Sequence, residues 1–262
     1  FVDFGNEFAG DRRAHYIKRW RLEKKDPAAE VSEPKVPIRV VLDRNIPEKW
    51  RAPVREGVLE WNKAFERAGW RNALAVEQQS DDADWTTLEG EDLLAVRWFA
   101  MEGPGAMAVG PSQSDPRSGE ILRGAAIIPE NWVRFDRLAL ADTEPRLAGA
   151  AALDGSACSY ASDALEQAAF GFELMALRGG FDPNGPEAER YVRNGLKAVV
   201  VHEVGHALGL RHNFKASTGI SAAELRDPAF THEHGVSNSV MDYNPPNVPL
   251  RDERVADYHM HG

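Results

Sequence analysis

Cysteine is almost absent from this chain of 262 residues: Cys158 stands alone, so no disulfide can close within it. That suits a reducing compartment, and it suits equally a bacterial secreted protein, so cysteine decides little about location. No apolar run approaches the roughly 20 residues of a membrane-spanning helix, which excludes a membrane span as an expectation. Positive charge is in deficit as well, with 31 lysines and arginines against 41 aspartates and glutamates, a formal net charge of −10. Binding to phosphate needs a basic surface, so nucleic acid is not an expected partner. Internal repeats and low-complexity tracts are also lacking. What is present is ordinary globular composition, 43% hydrophobic and 27% charged, in a chain long enough to bury a real core.

The chain runs from Phe1 to Gly262 with no signal peptide in view, and it reads as a piece of a longer precursor. The alternating stretch His15 to Leu22 suggests a strand, and the charged, proline-containing stretch Lys24 to Pro37 suggests an exposed linker. Residues 1–35 are therefore expected to be an extension or linker from a preceding domain, and residues 36–262 one catalytic-size domain. Within it, Val36–Leu42, Ala73–Glu77 and Leu94–Phe99 read as strands. Apolar positions from Val54 to Phe65 predict a helix over 53–68 that Gly69 stops. Ala106–Gly110 and Ile121–Ile128 are expected to pair around the turn Ser114 to Gly119. Helical spacing then returns over Asp163–Leu177 and Pro186–Leu208, while Pro245, Pro246 and Pro249 discourage helix near the end.

One stretch carries chemistry. In His202-Glu203-Val204-Gly205-His206-Ala207-Leu208-Gly209-Leu210-Arg211-His212, the first two histidines lie four apart, one turn of helix and one face, so both imidazoles can reach one ion. Glu203 sits beside the first of them, near the ion but not a ligand, as a general base requires. A continuing helix would carry His212 away, whereas Gly209 permits the left-handed turn that brings the chain back. The result is a three-histidine site with an open fourth position, which suits catalytic rather than structural zinc. A lone His-Glu-x-x-His recurs by accident; the five-residue signature should arise by chance on the order of once in ten thousand such sequences. The apolar run Leu196 to Val201 ahead of it predicts a buried helix and a dry wall for the metal.

Further on stands Ser239-Val240-Met241-Asp242-Tyr243. Together with the histidine signature, it resembles the metzincin superfamily of zinc peptidases, whose signature is paired with a methionine-containing turn below the metal. The resemblance implies that Met241 forms an apolar floor without touching the ion. It also implies that Tyr243, like the tyrosine of the astacin and serralysin branches, assists at the transition state and can ligate zinc. Tyr16 to Leu22, Asp115 to Ile121, His212 to Thr218 and Ser239 to Asn247 resemble, more narrowly, a family of large exported bacterial zinc-dependent metalloproteases. In these the catalytic domain lies between domains of unknown function. That resemblance implies a periplasmic or extracellular location and flanking domains of the same precursor as partners. Metzincins usually follow the methionine turn with a helix, and Val248 to Tyr258 shows no amphipathic helix.

Other signals are weaker. His232, His234, His259 and His261 read as solvated loop residues rather than extra ligands, since His232-Glu233-His234 lacks the i, i+4 spacing. Asp81, Asp82 and Asp84 lack the glycine and spacing of a calcium loop, so Ca2+ is a minor possibility beside Zn2+. Cys158 is not in the propeptide context that blocks zinc in the matrixins, and is expected to be a helix-flanking core residue.

The expected fold is α+β, metzincin-like: a twisted mixed sheet backed by helices, with an irregular lower lobe that carries Met241. The expected function is zinc-dependent endopeptidase, with His202, His206 and His212 holding metal, Glu203 as base and Tyr243 assisting. Its substrate would be a peptide lying extended along an edge strand, Met107 to Ser112 or its hairpin partner. Two alternatives are a peptide-binding pseudopeptidase, which should have lost Glu203 or a ligand, and a structural zinc domain, which needs a fourth protein ligand.

Overall fold

The computed structural model describes residues 15–100, 108–134, 160–179, 182, 184–250, 253 and 256–259. Five strands form one mixed sheet: β1 (Ile38–Leu42), β2 (Leu74–Gln78), β3 (Leu93–Phe99), β4 (Ser112–Ser114) and β5 (Ile121–Pro129), in the order β2-β1-β3-β5-β4. β1 runs parallel to both β2 and β3, and β3 parallel to β5; only β4, at the edge, is antiparallel to its neighbour. Val109 extends this edge by bridging to Ile127. The expected pairing of Ala106–Gly110 with β5 is thus carried mainly by Ser112–Ser114, and residues 101–107, including Met107, lie outside the described residues. The turn at Asp115 forms as expected, with Gly119 N–H donating to Asp115 O at 2.8 Å.

Four helices stand among the described residues: α1 (Glu48–Arg67), α2 (Tyr160–Leu177), α3 (Pro186–Ala207) and the short α4 (Pro228–His234). α1 begins ahead of the expected start, with Pro53 inside it rather than at its first turn. Burial of Trp50, Val54, Val58 and Trp61 on one stripe outweighs the hydrogen bond that proline forfeits. α3 has Pro186 in its first turn and Glu187 and Glu189 close behind, a favourable charge at the positive end of the helix.

The core fills the space between one sheet face and the helices. Val40, Leu42, Leu94, Val96, Ala126 and Ile128 point there from the strands, against Val54 and Val58 of α1 and Leu196, Val199, Val200 and Val204 of α3. The opposite face carries a small cluster, Val41, Leu93 and Ala95 with Trp85. Period-two alternation along β1 and β3 produces this division. Two cross-links pin α3 to α1: the Trp61 indole donates to Val201 O at 2.9 Å, and Lys197 Nζ meets Glu60 Oε1 at 2.7 Å with both side chains largely buried. This is the mixed sheet backed by helices expected of a metzincin-like domain. No described helix is long and apolar enough to cross a membrane.

The stretch His15 to Leu22 forms no regular strand; one bridge, Arg19 to Glu120, is all the ladder it makes. His259 is not solvated but buried, its ring 4.9 Å from that of Tyr191 in an edge-on contact. His232 and His234 lie exposed on α4 rather than in a loop, and His261 and Cys158 lie outside the described residues. Asp81, Asp82 and Asp84 form an exposed turn, with Asp81 paired to Arg51 at 3.1 Å.

Candidate metal centre

The last two turns of α3 are buried on nearly every side, His202 and Glu203 completely. The helix then ends in a full Schellman motif: Gly209 N–H donates to His206 O at 2.9 Å, and Leu210 N–H donates to Gly205 O at 3.0 Å. Gly209 has φ +102°, the left-handed conformation that glycine adopts at no steric cost, and the chain turns back there as the sequence implied.

The bend brings three imidazoles together. His202, His206 and His212 each offer a nitrogen, and all three nitrogens lie within 4.8 Å of one another. His202 and His206 meet edge-on with ring centres 4.8 Å apart, and His206 and His212 do the same at 4.6 Å. Backbone carbonyls set two tautomers. His202 Nδ1 lies 2.8 Å from Val240 O, and His206 Nδ1 lies 2.9 Å from Leu210 O. A carbonyl only accepts, so each Nδ1 carries the proton and each Nε2 presents a lone pair toward the cluster. His206 Nε2 and His212 Nε2 stand 3.0 Å apart. A tetrahedral zinc with bonds of about 2.0–2.1 Å holds its nitrogens roughly 3.3 Å apart, so a slight widening of this pair brings both within reach of one ion. Burial lowers the pKa of His202 to about 3, and that of His206 and His212 in the same direction; ligands already held neutral suit metal.

Glu203 behaves differently. Both of its carboxylate oxygens are buried with no hydrogen-bond partner among the described residues. Burial raises its pKa to about 8 when no cation is near. An unpaired carboxylate is costly inside a protein unless a positive charge or a reacting group completes its environment. A dication held by the neighbouring histidines would supply that charge.

Met241 is buried beneath α3, and its carbonyl accepts from Asn213 N–H at 2.8 Å, tying the segment after His212 to the lower lobe. The Tyr243 hydroxyl stands 2.9 Å from His212 Nε2, and the Tyr243 ring meets Phe214 edge-on at 4.8 Å. Phe214 in turn stacks on His212 at 5.0 Å. From the upper lobe the edge strand presses onto the site at Gly110, where a Cβ would collide with Glu203 O and stand 2.5 Å from His206 Cβ. All seven residues singled out in the sequence, Gly209 and Met241 included, therefore gather at one place.

Residues 184–261 match the family model described as Met-zincin. No curated protein matches the chain, and no solved structure does. The Met-zincin match takes in α3, all three histidines, Met241 and Tyr243, and the match and the cluster together point to zinc. Both support a domain of the zinc metallopeptidase type. Among the described residues no fourth His, Cys, Asp or Glu joins the trio, which leaves a coordination position for something else.

Four contributors around this site went unrecognised in the sequence. Asp242 is buried; its Oδ2 accepts from Ser217 N–H at 2.6 Å and Ser237 Oγ at 3.2 Å, and its Oδ1 accepts from Tyr243 N–H at 2.8 Å. A carboxylate between two residues of interest was the available signal. Phe214, two past the third histidine, had a comparable positional signal. The carbonyls of Val240 and Leu210 had none, because a backbone group carries no sequence mark.

Proposed function

We propose that this chain hydrolyses peptide bonds as a zinc endopeptidase. His202, His206 and His212 would hold the metal, and a bound zinc would supply Lewis-acid chemistry, activating water near neutral pH and polarising the scissile carbonyl. Glu203 is the general base: it takes the proton of the attacking water and passes it to the leaving amine. Its burial and its lack of other hydrogen-bond partners among the described residues support that role, since neither oxygen is committed elsewhere. Tyr243 donates its hydroxyl proton as a hydrogen bond to the developing oxyanion. Met241 is the floor of the site, the methionine turn of this fold.

The substrate lies extended along the β4 edge, from Val109 to Ser114, antiparallel to it. Two observations favour that path: β4 ends the sheet order, and Gly110 brings this edge into contact with the backbone of Glu203. The observation that carries the whole reading is the convergence of three imidazoles, two of them with tautomers set by backbone carbonyls, beside an uncommitted buried carboxylate. The test is digestion of a quenched-peptide library by zinc-loaded and chelator-stripped protein. Cleavage that disappears on chelation and returns with zinc supports the proposal; no cleavage of any library member by zinc-loaded protein rejects it.

A further inference from the structure

Residues 15–22 lie ahead of β1, where an extension or linker was expected. They are docked on the end of the helix that carries His202 and His206, and we propose that Trp20, with the strap 15–22 that carries it, is a positioning residue for the third metal ligand. The inference rests on the zinc reading of the histidine trio and extends it to residues far away in sequence.

The last carbonyls of a helix have no intrahelical donor and need partners elsewhere. At the end of α3 these can be followed one by one. Val204 O accepts from Leu208 N–H at 2.8 Å, Gly205 O from Leu210 N–H, and His206 O from Gly209 N–H. The carbonyl of Ala207, the last helical residue, accepts from the Trp20 indole N–H at 3.1 Å, across 187 residues of sequence. The strap thus completes the cap that the Schellman turn begins.

The strap also backs the bend. The carbonyl oxygen of Lys18 would stand 2.5 Å from a Cβ on Gly209, and Ile121 Cδ1 3.2 Å from it, so backbone lies directly against the turning point. The strap is itself anchored on the sheet: Arg19 N–H donates to Gly119 O at 3.1 Å, and Ile121 N–H donates to Arg19 O at 2.8 Å. Trp20 and Leu22 pack on the main core. From the capped carbonyl onward the chain has little freedom before the site. Leu210 O, three residues past Ala207, sets the tautomer of His206, and His212 follows two residues later. Whatever holds Ala207 and Gly209 therefore holds one carbonyl that orients a ligand and one ligand itself. A general stabilising contact would act on the whole domain; this one acts on the three-nitrogen geometry.

Partners that orient metal ligands typically change affinity about 10–100-fold when removed. Trp20→Phe keeps the packed ring and deletes only the N–H donor. In the full chain, zinc affinity measured by competition with a chromophoric chelator should fall about tenfold, and the visible absorption spectrum of the Co2+-loaded protein should shift, reporting altered ligand geometry. A purely structural role moves the melting temperature and not that spectrum. Because part of the effect passes through His212, Trp20→Phe should weaken zinc less in a His212→Ala background than in the parent chain. Wild-type zinc affinity and an unchanged Co2+ spectrum in folded Trp20→Phe would overturn the proposal while leaving the zinc site intact, as would fully additive losses in the double variant. Failure of the wild-type chain to bind zinc at all would overturn the underlying reading and this one with it.

Discussion

Gly205 and Met241 face each other so closely that a Cβ on the glycine would collide with the methionine sulfur. The same Cβ would stand 2.8 Å from Trp61 Cζ2, so the space is closed by an aromatic ring as well. One helical position between the two paired histidines is thus reserved for the residue without a side chain, and the lower lobe packs directly on the metal helix there.

Gly205→Ala should therefore destabilise the domain, although alanine is the better helix former. Overpacking of a tight core typically costs about 1–3 kcal/mol, more than the ~1 kcal/mol alanine gains in propensity. Denaturant unfolding of the metal-free protein measures the balance. A Gly205→Ala variant as stable as the parent would show that Met241 is not the packed floor described.

Glu203→Gln should bind zinc with the parental stoichiometry and lose hydrolysis by about 10²–10⁴-fold, the usual worth of a positioned general base. Metal content and peptide turnover on the same preparation decide it. Substantial turnover in the folded, zinc-loaded variant would remove Glu203 from the mechanism.

Tyr243→Phe deletes one hydroxyl and keeps the ring that Phe214 and His212 contact. Loss of a single oxyanion donor costs up to about 10²–10³ in kcat in well-studied hydrolases, so a drop of at least about tenfold in kcat, with KM little changed, is expected. An unchanged kcat would make Tyr243 a packing residue.

Zinc should stabilise the fold, because the trio gathers only in the native chain. At free zinc about 100 times Kd the gain is about 2.7 kcal/mol, and it grows with zinc concentration. Calorimetry with and without chelator reads it as a rise in Tm. Equal melting temperatures under both conditions would mean that these histidines hold no metal in the native state.

How much of this was legible beforehand differs along the chain. α3 and the bend at Gly209 could be read nearly to the residue, because apolar periodicity, a terminating glycine and ligand spacing all act within a single stretch. Where distant elements meet, local signals misled or fell silent. Pro53 suggested a helix start, yet burial of Trp50 ahead of it extends α1 backward. His15 to Leu22 alternates like a strand, but its main work is a hydrogen bond to Ala207 that no local pattern encodes. His259 carries a polar side chain and sits buried against Tyr191, a position that only the folded chain creates. The carbonyls of Val240 and Leu210 that orient two histidines belong to the same class of contact.

The most direct test is a crystal structure of the zinc-loaded chain with anomalous scattering recorded across the zinc absorption edge. One strong zinc peak is expected, about 2.0–2.1 Å from a ring nitrogen of each of His202, His206 and His212, with the Glu203 carboxylate outside the ligand set. A zinc peak elsewhere, or one that any of the three rings fails to reach, would contradict it.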